Sequence, residues 1–329
     1  MGRGPQTVRK RVVDWLVYAA MRIALCVVQA LPIHACDCLA WLVAWIMCDV
    51  LRVRRNVTDD NLAHAFPHWT TAKRLNITRR TWHHLALMLC EIAHVPRKIH
   101  LTNWRRHVNL VNKRVLVRYL IDVRPKLLVT GHFGNFEVAG YVAGMFGFPS
   151  FTVVRPLDNP HLDRYVSRFR QAKGQFILPK HGSAKQVEEV LSRGGTLSIL
   201  GDQNAGPKGV WVEFLGRAAS CHKAVALFTL AGAAPMLLSY ARRTSGPMQF
   251  DVALDEVVDP QRLEAALAGV RPLTQWYNHR LERLIVQTPE QYWWIHRRWK
   301  GSPPARRNRK TEAQPAAVPP EGEETRRVA

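Results

Sequence analysis

Acidic residues are scarce in this chain: 25 Asp and Glu stand against 47 Lys and Arg, a net charge of +22 over 329 residues. Such an excess calls for an anionic partner, and composition leaves open a membrane surface, a phosphorylated substrate, an acidic carrier protein or nucleic acid. Glycine-rich phosphate loops are missing. No Gly-x-Gly-x-x-Gly follows a strand-like run and no Gly-x4-Gly-Lys-Ser/Thr occurs, which argues against a dinucleotide- or ATP-using enzyme. A Gly-x-Ser-x-Gly elbow is missing too, so no serine is presented as a covalent nucleophile.

Cysteine is sparse and irregular. The six residues Cys26, Cys36, Cys38, Cys48, Cys90 and Cys221 form no disulfide framework, and four of them fall in an apolar N-terminal stretch where thiols behave as small hydrophobes. His34, Cys36 and Cys38 lack a second ligand cluster at zinc-like spacing, so a metal site is not expected there. A reducing, cytoplasmic setting suits this usage. Nor does any run within that N-terminal stretch reach the roughly 18 uncharged residues that a plain membrane-spanning helix needs. Arg22 interrupts the apolar stretch in its middle, and no small-residue cleavage site follows.

What is present is a large apolar fraction, 47%, enough for one sizeable core. Residues 12–51 are dominated by large apolar side chains, flanked by Arg3, Lys10 and Arg11 on one side and by Arg52, Arg54 and Arg55 on the other. Three arrangements fit: a tilted span over about 15–31, a pair of helices in the membrane interface, or a buried hairpin. Trp15, Trp41 and Trp45 suit an interface, and positive charge on both flanks favours a monotopic arrangement.

Residues 56–111 read as helical, with one helix starting at Asp59 or Asp60 and another at Thr71. The adjacent His83 and His84 must face different sides of the second, so they are not expected to share a metal. Strand-like runs at 127–130, 151–154, 176–178, 196–200, 210–214, 236–240 and 249–254 alternate, early on, with helical patterns at 136–147, 160–173, 184–193 and 222–231. That alternation predicts an α/β fold: a mixed central sheet flanked by helices, with an N-terminal membrane-associated helical segment. The expected division is 1–55 for that segment, 56–300 for the α/β domain and 301–329 for a disordered tail rich in Pro, Glu, Ala and Arg.

The chemistry concentrates in His132-Phe-Gly-Asn-Phe-Glu137. It follows a buried-strand pattern and precedes a helix capped by Asn135, the position where α/β sheets build their sites. A carboxylate that accepts from one imidazole nitrogen fixes the tautomer and stabilises the imidazolium, so His132 is a candidate general base oriented by Glu137, the alternative being a solvated loop histidine and a first-turn carboxylate that serves only the helix dipole. The proton His132 takes would come from an alcohol attacking an acyl carbonyl. Gly134 and Asn135 are candidates to offer backbone N–H groups to the oxyanion. Arg155 ends one strand run and has the fork geometry for an anion, with Asp158 close in sequence to orient it. Asp202 ends another, where it either joins the same crevice or closes an Asx turn. The aromatic and basic run 292–300 could contact nucleic acid or lipid.

His132-Phe-Gly-Asn-Phe-Glu137 resembles the His-x4-Asp/Glu motif of membrane acyltransferases. Four further blocks, in order, resemble the late acyltransferases of lipid A biosynthesis, the lauroyl/myristoyl acyltransferase family. They are Asn61-Leu-Ala-His-Ala-Phe-Pro67, Arg155-Pro-Leu-Asp-Asn-Pro160, Gly201-Asp-Gln-Asn-Ala-Gly-Pro207 and Pro289-Glu-Gln-Tyr-Trp-Trp-Ile-His-Arg-Arg-Trp-Lys300. The resemblance implies transfer of a fatty acyl chain from acyl carrier protein to a hydroxyl of a phosphorylated lipid A precursor at the cytoplasmic face of the bacterial inner membrane. It implies no cofactor or metal and no nucleic acid. It places Arg155, Asp158, Asp202, Arg297 and Arg298 around the substrate. Acyl-chain length and the acceptor hydroxyl stay open. So do two rivals: an enzyme of the same scaffold acting on another glycolipid or glycerol phosphate, and a non-catalytic basic lipid-binding protein.

Overall fold

A computed structural model describes residues 7–180 and 182–304. The expected tail and Arg3 lie outside these residues, the tail apart from its first few positions. Two N-terminal helices come first, α1 (Val8–Ala30) and α2 (Ile33–Trp45), the latter running on into a short π-helical turn, Ile46–Val50. Helices α3 (Arg55–Ala65) and α4 (Thr71–Lys98) follow. Asp59 and Asp60 therefore lie inside α3 and do not start it; the helix begins directly after Arg54, which takes a left-handed conformation. Thr70 caps α4 by accepting from the Lys73 N–H.

The α/β part runs β1 (Val108–Val111), α5 (Lys113–Leu120), β2 (Lys126–Thr130), α6 (Phe136–Met145), β3 (Ser150–Val154), α7 (Pro160–Gln171), β4 (Gln175–Pro179), α8 (Ala184–Ser192), β5 (Thr196–Leu200), β6 (Val210–Phe214), β7 (Arg217–Cys221), α9 (Ala224–Ala231), β8 (Met236–Arg243), β9 (Phe250–Val258) and α10 (Val270–Gln287). Seven strands form one sheet in the order β1-β9-β8-β2-β5-β3-β4. All neighbours are parallel except β8 and β9. The mixed sheet flanked by helices is thus observed.

Three elements escape the sequence pattern. β1 is a four-residue edge strand, and α5 is a short helix without a buried residue. β7 is Arg-Ala-Ala-Ser-Cys, lacking the β-branched and aromatic residues that mark strands. It pairs antiparallel with β6 in a separate hairpin. Leu215 and Gly216 at its turn both have positive φ, as a tight primed turn demands.

One face of the sheet packs Leu127, Val129, Leu197 and Leu238 against Val225 of α9 and Leu273, Leu281 and Leu284 of α10. On the other face Val138, Tyr141 and Val142 of α6 meet Val95, Ile99 and Phe250. The N-terminal pair is joined to this body. Cys36, Ala40, Ala44 and Cys48 are buried on α4, where small side chains let two helices approach closely. Along α1, by contrast, no residue is fully buried.

Candidate active site

The adjacent parallel strands β2 and β5 carry the site at their carboxyl ends. Their register sets Thr130 opposite Leu200, so the second residue beyond each strand, His132 and Asp202, falls side by side. Asp202 Oδ1 accepts from His132 Nδ1 at 2.7 Å, and Oδ2 accepts from the His132 backbone N–H at 2.8 Å. Space is tight here: a Cβ on Gly131 would sit 2.6 Å from Leu281 and 3.2 Å from Asp202 Oδ2. Burial would raise the Asp202 carboxyl, but the imidazole, its two N–H bonds and the more distant Arg298 outweigh it and hold the acid below its ordinary value.

With Nδ1–H given to Asp202, Nε2 carries the lone pair and faces the Gln203 amide at 3.2 Å. Trp293 and Phe136 flank the ring edge-on, at centroid distances of 4.6 and 5.3 Å. Beside the ring opens a cavity of about 2090 Å³, lined by apolar residues of α1, α4, α6, α7, α8 and the sheet, with Arg155, Arg170, Lys180 and His222 among its polar members. It far exceeds the roughly 300–1,000 Å³ of pockets for drug-sized ligands.

The expected contact between His132 and Glu137 is not made; Asp202 holds that place. Glu137 is the second residue of α6, and its carboxylate turns to α7, where Arg170 Nε donates to Oε2 at 3.0 Å and Nη2 donates to Oε1. Both members of this pair line the cavity. Arg170 gave no signal in the sequence, since a helix of several arginines does not show which one turns inward. Gln203 could have been found, adjoining Asp202 within the third quoted block.

The oxyanion candidates need correction as well. Gly134 N–H donates to the Gln291 carbonyl at 2.9 Å and Asn135 N–H to the Ala241 carbonyl at 2.7 Å, so neither backbone donor is available. Gly134 is required for another reason: at φ +61° a Cβ would lie 2.0 Å from the Ala241 oxygen. Asn135 is an N-cap, its Oδ1 accepting from Val138 N–H, while its Nδ2 donates to Glu91.

Glu91 belongs to a buried network behind the loop. Arg243 Nε and Nη2 donate to its two oxygens at 2.7 and 2.6 Å, and Arg243 Nη1 donates to His84 Nδ1 at 2.8 Å. His84 must then carry its proton on Nε2, which donates to the Gly134 carbonyl at 3.3 Å. Burial and the neighbouring Arg243 push His84 well below the ordinary histidine value, so it stays neutral. Its neighbour His83 faces the other way, bonded to Asp37 and stacked on Trp41.

The remaining expected substrate residues are dispersed. Arg155 lines the cavity mouth, with its side chain 74% exposed and only a 3.4 Å pairing to the still more exposed Asp158. β5 separates its strand from β2. Arg297 is exposed. Arg298 is 1% exposed and serves the fold: Nη1 donates to the Ser220 carbonyl and Nη2 to Cys221 Sγ, with the guanidinium over Phe214. The closing aromatic run is tied down by Asn61, whose Nδ2 donates to the carbonyls of Trp294 and His296.

A histidine held at two points by a buried acid, at strand ends beside a large, mostly apolar cavity, is the arrangement of an α/β enzyme site. The chain belongs to the bacterial lipid A biosynthesis acyltransferase family, whose model matches residues 6–301, and it is an acyltransferase. It is 25% identical over 260 residues to a lipid A biosynthesis palmitoleoyltransferase of Escherichia coli K12, covering 77% of this chain and 81% of that protein. To the lauroyltransferase of the same strain it is 24% identical over 296 residues, covering 88% and 92%. To a lipid A biosynthesis acyltransferase of Haemophilus influenzae it is 22% identical over 258 residues, 74% of each chain.

Proposed function

We propose that this enzyme transfers a fatty acyl chain from acyl carrier protein to a hydroxyl of a lipid A precursor, with His132 as general base. The observation that carries this reading is the His132–Asp202 pair beside the apolar cavity. In the proposed step His132 Nε2 takes the proton of the acceptor hydroxyl, displacing the Gln203 amide, while its oxygen attacks the thioester carbonyl. Asp202 stabilises the imidazolium through Nδ1–H. Collapse of the tetrahedral intermediate breaks the carbon–sulfur bond, and the imidazolium returns its proton to the leaving thiolate. No acyl-enzyme is needed.

Glu137 then acts through Arg170. The guanidinium spends Nε and Nη2 on Glu137, and Nη1 has no partner among the described residues, so it can meet the carbonyl oxygen as charge develops there. An acidic carrier suits the cations at the cavity: Arg155, Arg170 and Lys180.

The enzyme is proposed to lie on the inner leaflet, at the cytoplasmic face of the inner membrane. Asp14, Tyr18, Leu25 and Gln29 turn towards the body, and Gln29 Nε2 donates to the Ala93 carbonyl at 2.9 Å. Val13, Leu16, Val17, Ile23 and Val27 point outwards, each at least 47% exposed, as do Trp41, Leu42 and Trp45 of α2 and Leu89 of α4. A helix laid along the body with its other face apolar fits an interfacial arrangement better than a free-standing span. The test of the function is thioester-dependent acylation of a lipid A precursor by the purified enzyme and by its His132→Ala variant. Acylation by the variant at the wild-type rate would rule out the general base.

A further inference from the structure

Arg22, the charge that interrupts the apolar N-terminal stretch, turns towards α7. Its Nη1 donates to the Tyr18 hydroxyl one turn earlier, at 3.1 Å, and its guanidinium lies 5.1 Å from the ring centre of Tyr165 on α7. Tyr18 meets the same helix, 5.7 Å from His161 and 6.4 Å from Tyr165 between ring centres. Arg164 and Arg168, one turn apart on α7, complete a pocket of about 440 Å³ with Tyr18, Arg22, His161, Tyr165 and Phe169.

Three arginines thus line one small hollow. Nearby arginines of the same region are matched, Arg170 by Glu137 and Arg155 by Asp158, but among the described residues no carboxylate pairs with Arg22, Arg164 or Arg168. The acid on the same stretch of α7 is committed elsewhere: Asp163 Oδ1 accepts from Leu157 N–H. Asp14, the nearest acid on α1, lies two helical turns before Arg22. Like charges gathered without a counter-charge repel, and an anion seated among them relieves that repulsion. Planar forks suit phosphate, which accepts two bonds from each.

The surroundings specify what carries the phosphate. Tyr165 and Phe169 line both this pocket and the large apolar cavity, so one wall divides an anionic subsite from space for acyl chains. The pocket also lies against α1, whose outward face is apolar. We propose that Arg22, Arg164 and Arg168 form a binding site for the phosphate group of a lipid. That phosphate could belong to the glycolipid acceptor, a source that rests on the proposed function, or to an anionic phospholipid of the bilayer, which does not.

The test uses the full chain carrying Arg164→Gln with Arg168→Gln, Arg22→Gln alone, and Arg164→Lys with Arg168→Lys. Arg114→Gln with Arg118→Gln serves as control, since it removes the same charge from the exposed positions of α5. Binding to phosphatidylcholine vesicles with and without phosphatidic acid is read by co-sedimentation. Acceptor KM is measured with the phosphorylated glycolipid and with its phosphatase-treated form, and thermal melting reports the fold. A loss of roughly 10–30-fold in phosphatidic-acid binding for the glutamine pair, absent in the control, supports the site with a phospholipid as its source. A comparable rise in KM confined to the phosphorylated acceptor supports it with the acceptor as its source. The lysine pair should fall between, retaining charge without the fork. Unchanged binding and KM in a folded glutamine pair, or an equal loss in the control, overturns the site. Turnover of the phosphatase-treated acceptor by these variants reports the catalytic reading separately.

Discussion

Asp202 grips His132 at two points, one carboxylate oxygen on ring Nδ1 at 2.7 Å and the other on the backbone N–H at 2.8 Å. This fixes ring and loop together, leaving Nε2 as the only nitrogen free to take a proton. Asp202→Asn keeps the shape and removes the charge, and an amide NH2 facing Nδ1 favours the wrong tautomer. Turnover should fall about 10²–10⁴-fold with little change in acceptor KM. Steady-state kinetics beside a circular dichroism check of the fold would decide, and an active Asp202→Asn enzyme would remove the orienting role.

Glu137 and Arg170 are expected to act as one unit. Glu137→Gln frees the guanidinium from its place at the cavity, and Arg170→Gln removes it, so each should lower kcat/KM. If Glu137 serves only to hold Arg170, the double variant should be no worse than Arg170→Gln alone. Additive losses would show that Glu137 has a task of its own.

The position of the site was legible before its wiring was. An apolar run ending at Thr130, then Gly-His, then an Asn-capped helix, is a local pattern, and strand, loop and helix stand where it puts them. The choice of carboxylate was not local. Glu137 lies five residues from His132 and Asp202 seventy, and the nearer acid loses because a first-turn residue of α6 points to α7. Only the pairing of β2 with β5 brings Asp202 in, and nothing in single-sequence periodicity reports which strands are neighbours. Gly134 and Asn135 look free for the same reason: their acceptors, Gln291 and Ala241, arrive from more than 100 residues away. β7 was hidden by its small side chains, and Arg298 by being a buried arginine in a run of exposed-looking ones.

Glu91 and Arg243 brace the back of the His132 loop, and the Glu91 side chain is wholly buried. Removing one partner strands the other charge. Glu91→Ala should cost about 3–5 kcal/mol in urea denaturation. Replacing both with methionine should recover much of that loss, because the uncompensated charge goes with it. Activity need not return with stability, since Asn135 would still lack the acceptor for its amide.

Arg124 clamps Asp122 and Asp259 at the entry to β2. Hydrogen bonds from the Arg124 side chain and backbone lower Asp122 to about 2. A carboxyl with a lowered folded value contributes stability above its ordinary value, about 3.9, and that contribution is lost as the pH falls through the folded value. Wild type should therefore exceed Arg124→Ala by a constant margin at neutral pH, shrinking between about pH 4 and 2. Equilibrium unfolding across that range tests the sign. A margin that widened in acid would contradict it.

The outward face of α1 is expected to hold the enzyme on the bilayer when salt has screened its charge. Deleting residues 1–50 is not a clean test, because Cys36, Ala40, Ala44 and Cys48 leave the core with them. The surface change Val13→Ser, Leu16→Ser and Val17→Ser leaves that packing alone, since all three side chains are exposed. Fully burying such a side chain is worth about 1.5–3 kcal/mol, and a residue lying in the interface gains part of it. Cationic attraction fades as salt rises past roughly 0.15 M, where the Debye length is about 8 Å, whereas the apolar contribution does not. At low salt the triple variant should still bind anionic vesicles through its positive charge. At high salt the wild type should stay bound while the variant is released. If both are released together, charge alone attaches the protein. If both remain bound, Trp41, Leu42 and Trp45 of α2 are the next residues to replace.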